Sequence, residues 1–334
     1  MAKPTVFSVF QQIHTKKMVP SIFRTIHIRN LHSNEIPVKE IQIPVAWGHL
    51  SAKLWGSENE RPMLALHGWQ DNAGTWDPLA PMLYKNQPIL AIDLPGHGLS
   101  SWIPPGLHYY AWDFPRLIFF LKNYFKWDKV SLLSHSMGSI ASTRFACLFP
   151  DEVDFFIAID SIISDDYDLN LVIEKYPHTL RKLENDQKRL NEEPKCYTLQ
   201  EMSEVWHLGT MKSVALDSVK YLIKRGAKES KREPNKYYFA RDPRLKRILF
   251  NPESKKFVEA LVKRLKCPTL YFKASDSPYA SDAFSVEMRE VIEAHNDKFS
   301  CLFVPGTHHV HLNNPEIVAP HIINFFKEHN FWKQ

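Results

Sequence analysis

The chain predicts an α/β fold: a mostly parallel central sheet flanked by helices, with a helical cap inserted after the sixth strand. Three observations carry this reading. From about residue 38, short apolar runs alternate with stretches of helical spacing, the pattern of a sheet covered on both faces. Val130-Ser-Leu-Leu-Ser-His-Ser136-Met-Gly138 reads as a buried strand, a sharp turn with a serine at its apex, and the start of a helix. Between Asp160 and Cys267 the texture changes to long charged amphipathic stretches with no strand of the buried kind.

Residues 1–37 precede this pattern as a basic N-terminal extension. They carry Lys3, Lys16, Lys17, Arg24 and Arg29 among hydroxyl and apolar residues, and no acidic residue comes before Glu35. That composition suits a mitochondrial presequence, and equally a plain basic tail ahead of the domain. Ile41 to Trp47 and His49 to Trp55 then predict a strand pair around a turn at Gly48. Met63 to Leu66 is a short buried strand ending at His67-Gly68, and Pro88 to Asp93 is another. Tyr110 to Phe125 has helical apolar spacing, Val130 to Leu133 is the strand before the apex serine, and Phe155 to Ile159 is the sixth strand. Two further strands, Thr269 to Lys273 and Phe299 to Val304, precede a last helix from Pro315 to about Lys327. The division is therefore a core of 38–160 with 267–334, and a mainly helical cap at 161–266 that includes the amphipathic stretches Thr179 to Glu192 and Ser213 to Lys228. A cap over the carboxyl ends of the strands covers the place where open parallel sheets bind ligands. An independent helical partner-binding domain is the other reading of this segment.

Composition narrows the function. With 334 residues and 44% hydrophobic content, the chain can bury a substantial core. The formal charge of +5 arises from 42 basic and 37 acidic residues spread along the sequence, so no nucleic-acid partner is expected. The basic run Lys224 to Lys236 reads as solvated surface. Cys147, Cys196, Cys267 and Cys301 are far apart without a C-x-x-C pair, which fits reduced thiols and an intracellular, cytoplasmic or mitochondrial, protein. No apolar run approaches the roughly 20 residues of a membrane span.

An activated serine needs a base, an acid that orients the base, and donors for the developing oxyanion. Ser136 is the candidate nucleophile, with small residues, Ser134 and Gly138, two positions to either side; glycine is usual at both. His308, on the loop after the last strand, is the candidate base, with His309 and His311 as alternatives. No metal is expected, since no carboxylate or cysteine accompanies this histidine run in a ligand pattern. Asp276, three residues past a strand end, is the preferred acid. Asp160, at the end of the sixth strand, is its rival, and Asp282 is a weaker candidate in the Asp276 loop. The oxyanion donors are expected to be the backbone N–H groups of Trp69 and Met137, while His67 reads as structural. The loop Asp93-Leu-Pro-Gly96-His97-Gly98 lacks the Gly-x-Gly-x-x-Gly spacing and a following lysine, so no nucleotide or other cofactor is expected. Trp69, Trp102, Tyr109 and Trp112 suggest an apolar entrance.

Together, His67-Gly68-Trp69, Asp93-Leu-Pro-Gly96-His97-Gly98, Ser134-His-Ser136-Met-Gly138 and Gly306-Thr-His308 resemble, in this order, the α/β-hydrolase superfamily. The segments Tyr237-Tyr-Phe-Ala-Arg241-Asp242-Pro-Arg244-Leu245 and Pro305-Gly-Thr-His-His-Val-His-Leu further resemble its serine hydrolase-like, kraken-type branch, and the similarity runs from about residue 38 onward. The resemblance implies the α/β-hydrolase fold, a triad in the chain order Ser136, Asp276, His308, and esterase-like activity on a small-molecule carboxylic ester or thioester through an acyl-enzyme. The loop around Asp276 varies within this branch, which leaves Asp160 open as the acid. Two other functions fit the same features: a carbon–carbon bond hydrolase with the same triad, and a catalytically silent homologue that binds a small ligand.

Overall fold

The computed structural model describes residues 38–164, 166, 168–247 and 253–331. The basic extension 1–37, with its targeting reading, lies outside them. The strands are β1 (Val38–Val45), β2 (Gly48–Trp55), β3 (Met63–Leu66), β4 (Ile89–Ile92), β5 (Val130–His135), β6 (Val153–Ile159), β7 (Ala227–Glu229), β8 (Tyr237–Phe239), β9 (Thr269–Ala274) and β10 (Phe299–Val304). Eight form one sheet in the order β1-β2-β4-β3-β5-β6-β9-β10, while β7 and β8 make a small separate ribbon. β1 and β2 are an antiparallel hairpin, β2 runs antiparallel to β4, and β4, β3, β5, β6, β9 and β10 are parallel to one another.

The helices are α1 (Ala80–Leu83), α2 (Asp113–Tyr124), α3 (Met137–Leu148), α4 (Leu169–Lys188), α5 (Leu199–Gly209), α6 (Val219–Gly226), α7 (Lys255–Val262), α8 (Ala283–His295), α9 (Val310–Asn313) and α10 (Pro315–Glu328). The apolar runs of the central strands exist because both sheet faces are covered. Leu64 and Leu66 of β3, with Leu90 and Ile92 of β4, point into a core shared with α2, α3, α7 and α8. Met63, Ala65, Ile89 and Ala91 point the opposite way, into a core closed by α1 and α10. The sheet is thus the mostly parallel one that the sequence predicts, with helices on both faces. The chain passes from β3 to β4 on one side and on to β5 on the other, so the carboxyl ends of β3 and β5 flank the crevice where such sheets bind ligands.

The segment between β6 and β9 is mainly helical, and two sequence expectations within it change. The amphipathic stretch at Thr179 belongs to one longer helix, α4, begun by Asp168, whose side chain accepts the Asn170 and Leu171 N–H groups. The stretch at Ser213 is helical only in α6, because Gly226 packs under Trp206, where a Cβ would meet the indole at 2.7 Å, and the chain then turns extended to pair with β8. α7 also differs from its neighbours. It packs on α3 and α8 and belongs to the core, although it lies inside 161–266. Arg225 of α6, almost fully buried, ties this segment to the sheet through Asp93 at 2.7 Å and through Glu40. No helix among the described residues is long and apolar enough to cross a membrane. The four cysteines are free.

Candidate active site

Ser136 stands between β5 and α3 with φ 52° and ψ −122°, a strained conformation for a residue with a side chain. Its surroundings explain the neighbours. A Cβ on Gly138 would lie 2.4 Å from the Leu66 carbonyl, and one on Gly68 would lie 2.9 Å from His135 Nδ1 and 3.1 Å from Ser136 Cβ. Ser134 stands where glycine is usual, and it is tolerated because its buried hydroxyl meets the Ser142 hydroxyl of α3 at 2.7 Å.

His308 Nε2 lies 2.8 Å from Ser136 Oγ, and His308 Nδ1 lies 2.6 Å from Asp160 Oδ2. The hydrogen-bonded carboxylate is therefore Asp160, not the expected Asp276. Asp160 leaves β6 with φ 52°, which turns its fully buried side chain beneath the imidazole. Its other oxygen accepts the Ala274 N–H at 2.8 Å and Lys273 Nζ at 3.3 Å. Asp276 points to solvent. Its N–H donates to the Gly306 carbonyl at 3.0 Å, and its carboxylate accepts only the adjacent Ser275 hydroxyl among the described residues, at 2.9 Å. Asp282 caps α8 by accepting the Ser285 N–H and hydroxyl. Burial lowers the His308 pKa below its ordinary 6.5 even though Asp160 pulls the other way, so the imidazole is a neutral base at pH 7.

The remaining histidines have other partners. His67 and His97 spend both ring nitrogens on backbone groups. His135 Nε2 donates to the His308 carbonyl at 2.8 Å and so holds the base loop. His309 lies 2.7 Å from Ser213 Oγ and 3.3 Å from Asp71, and His311 Nε2 lies 2.9 Å from Thr75 Oγ1. Asp71 is thus a carboxylate that sequence spacing could not associate with the histidine run. Asp71, His135 and His309 bring ligand-type atoms within 4.8 Å of one another.

A cavity of about 370 Å³ opens onto Ser136 and His308. Trp69 and Met137 line it, and no acceptor among the described residues takes either backbone N–H. The opposite wall comes from the inserted segment, chiefly Val205, Trp206, Ser213, Arg241 and Leu245. Burial pulls the Arg241 guanidinium down to about 10, with Asp71 acting through space in the opposite sense, so it remains a cation at neutral pH.

Comparison with known proteins agrees with this architecture. Residues 61–315 match the family model described as the alpha/beta hydrolase fold. A Drosophila melanogaster protein named "probable serine hydrolase" is 36% identical over 87% of this chain and 88% of its own length. A Mus musculus serine hydrolase-like protein is 31% identical over 84% of this chain and 93% of its own. Among solved structures, a hypothetical protein from Pseudomonas aeruginosa PAO1 superposes with TM-score 0.72 and 27% identity, covering 86% of this chain and 98% of that one.

Proposed function

Given that the chain belongs to the α/β-hydrolase family, in its serine hydrolase-like branch, we propose that it hydrolyses a carboxylic ester or thioester through Ser136, His308 and Asp160. The observation that carries this reading is the unbroken chain Ser136 Oγ, His308 Nε2, His308 Nδ1 and Asp160 Oδ2, at 2.8 Å and 2.6 Å. Ser136 attacks the substrate carbonyl carbon while its proton passes to His308 Nε2. The Trp69 and Met137 amides hold the oxyanion, and Asp160 holds the imidazolium. Collapse of the tetrahedral intermediate expels the alcohol or thiol, which takes the proton from Nε2 and leaves an acyl-Ser136. Water, deprotonated by His308, then releases the acid and restores the serine. The segment 161–266, without α7, acts as the cap that decides what reaches Ser136.

The test is labelling with a fluorophosphonate, which reacts only with an activated serine. Wild-type protein is expected to be labelled at Ser136 and to turn over 4-nitrophenyl butyrate, and Ser136→Ala to lose the label and about three or more powers of ten in turnover. A wild-type protein that takes no label is the silent ligand-binding homologue instead.

A further inference from the structure

We propose that Arg241 selects esters whose acyl part carries a terminal carboxylate, which it binds in the cavity that opens onto Ser136. The inference rests on the ester-hydrolase reading above and extends it to the class of substrate.

Three arginines line the cavity. Arg144 is matched by Glu253 at 3.0 Å and Arg247 by Asp186 at 3.0 Å. Arg241 differs in that, among the described residues, no carboxylate lies within 4.0 Å of it; its Nε, like that of Arg247, is sealed from solvent without a hydrogen-bond acceptor. A guanidinium so placed loses hydration without gaining a carboxylate in contact, Asp71 acting on it only through space, an unfavourable state that a bound anion relieves. Its position is also prepared. Ala240 N–H donates to the Gly226 carbonyl at 2.8 Å, and Asp242 N–H donates to the Gly96 carbonyl at 2.8 Å, so the backbone is pinned on both sides. The Asp242 side chain is clamped in turn by Arg244 and by the Tyr109 hydroxyl. The guanidinium itself rests against Phe239 and Trp206, 4.3 Å and 5.3 Å from the ring centroids, which leaves its polar edge to meet a ligand.

A single charge is the better match. Asp71 lines the same cavity, and its carboxyl is buried yet held below its ordinary value, chiefly by His309, so it is ionised. One free guanidinium beside that carboxylate favours a monoanion, bound through paired N–H donors, over a dianionic phosphate.

The test compares 4-nitrophenyl hydrogen adipate, the neutral 4-nitrophenyl hexanoate and a phosphonate-tailed ester of the same length. Wild-type protein is expected to prefer the adipate in kcat/KM. Arg241→Met is expected to lower the adipate-to-hexanoate ratio on the order of 10- to 100-fold, with Arg241→Lys retaining part of it. A merely structural Arg241 would depress both substrates together and leave the ratio in place, which overturns the proposal. So does a wild-type protein without preference for adipate, or one that prefers the phosphonate. Binding of methyl hydrogen adipate to Ser136→Ala, measured by calorimetry and expected to weaken by the same factor when Arg241→Met is added, reads Arg241 without turnover. An unlabelled and inactive wild type that still binds adipate through Arg241 would fail the hydrolase reading alone, and equal binding by both variants would fail the Arg241 proposal alone.

Discussion

Replacing Asp160 by asparagine separates the two carboxylates that compete for the same role. Asp160 Oδ1 faces two donors, the Ala274 N–H at 2.8 Å and Lys273 Nζ at 3.3 Å, so an asparagine side chain must keep its carbonyl oxygen there. Its NH₂ group then points at His308 Nδ1, which becomes an acceptor. The ring proton moves to Nε2, and Nε2 can no longer take the Ser136 proton across 2.8 Å. An asparagine in this position of a serine triad costs about 10⁴ in kcat, or about 5.5 kcal/mol of barrier at about 1.36 kcal/mol per decade. Asp276→Asn changes an exposed side chain and should stay within about twofold, or about 0.5 kcal/mol. The assay is turnover of 4-nitrophenyl butyrate by purified variants, with melting temperatures recorded alongside. Lys273 is 4% exposed and loses its carboxylate in Asp160→Asn, so Lys273→Met in the same background serves as the folding control. Asp160→Asn retaining a tenth of wild-type kcat, or Asp276→Asn falling a hundredfold, would refute the reasoning.

Because burial outweighs the pull of Asp160 and holds the His308 pKa below 6.5, the kcat/KM profile should be flat through neutrality and fall only as the pH drops below that value, where the base becomes protonated. Asp160→Asn removes the group that raises this pKa, so its residual activity should fall at still lower pH; an acid limb centred above pH 7 contradicts both statements. Gly138→Ala forces a Cβ to 2.4 Å from the Leu66 carbonyl and 2.8 Å from that of His67, both backbone atoms at the end of β3. It should destabilise by about 1–3 kcal/mol in urea titration and reduce turnover through the displaced Trp69 loop, whereas Ser134→Gly beside it should leave turnover within a few-fold.

Much of this protein was determined by local sequence. Met63-Leu-Ala-Leu66 and Ile89-Leu-Ala-Ile92 are apolar at every position because each strand buries both faces. Ser136 with Gly138 marks a turn whose crowding against β3 is set within a few residues, and His308 follows a Pro-Gly turn at the edge of the last strand. The partners of these residues, by contrast, come together only in the folded chain. Asp160 and Asp276 leave neighbouring strands at the same sheet edge, and the left-handed backbone at Asp160 together with the Ala274 N–H selects between them. Asp71 reaches His309 across more than two hundred residues, and Arg241 stands apart from the other cavity arginines because Glu253 and Asp186 reach those and, among the described residues, no carboxylate lies within 4.0 Å of it. Strand patterns and turns are written in spacing along the chain, but a hydrogen-bonded ion pair requires atoms within a few ångströms of each other and so depends on distances that only folding sets.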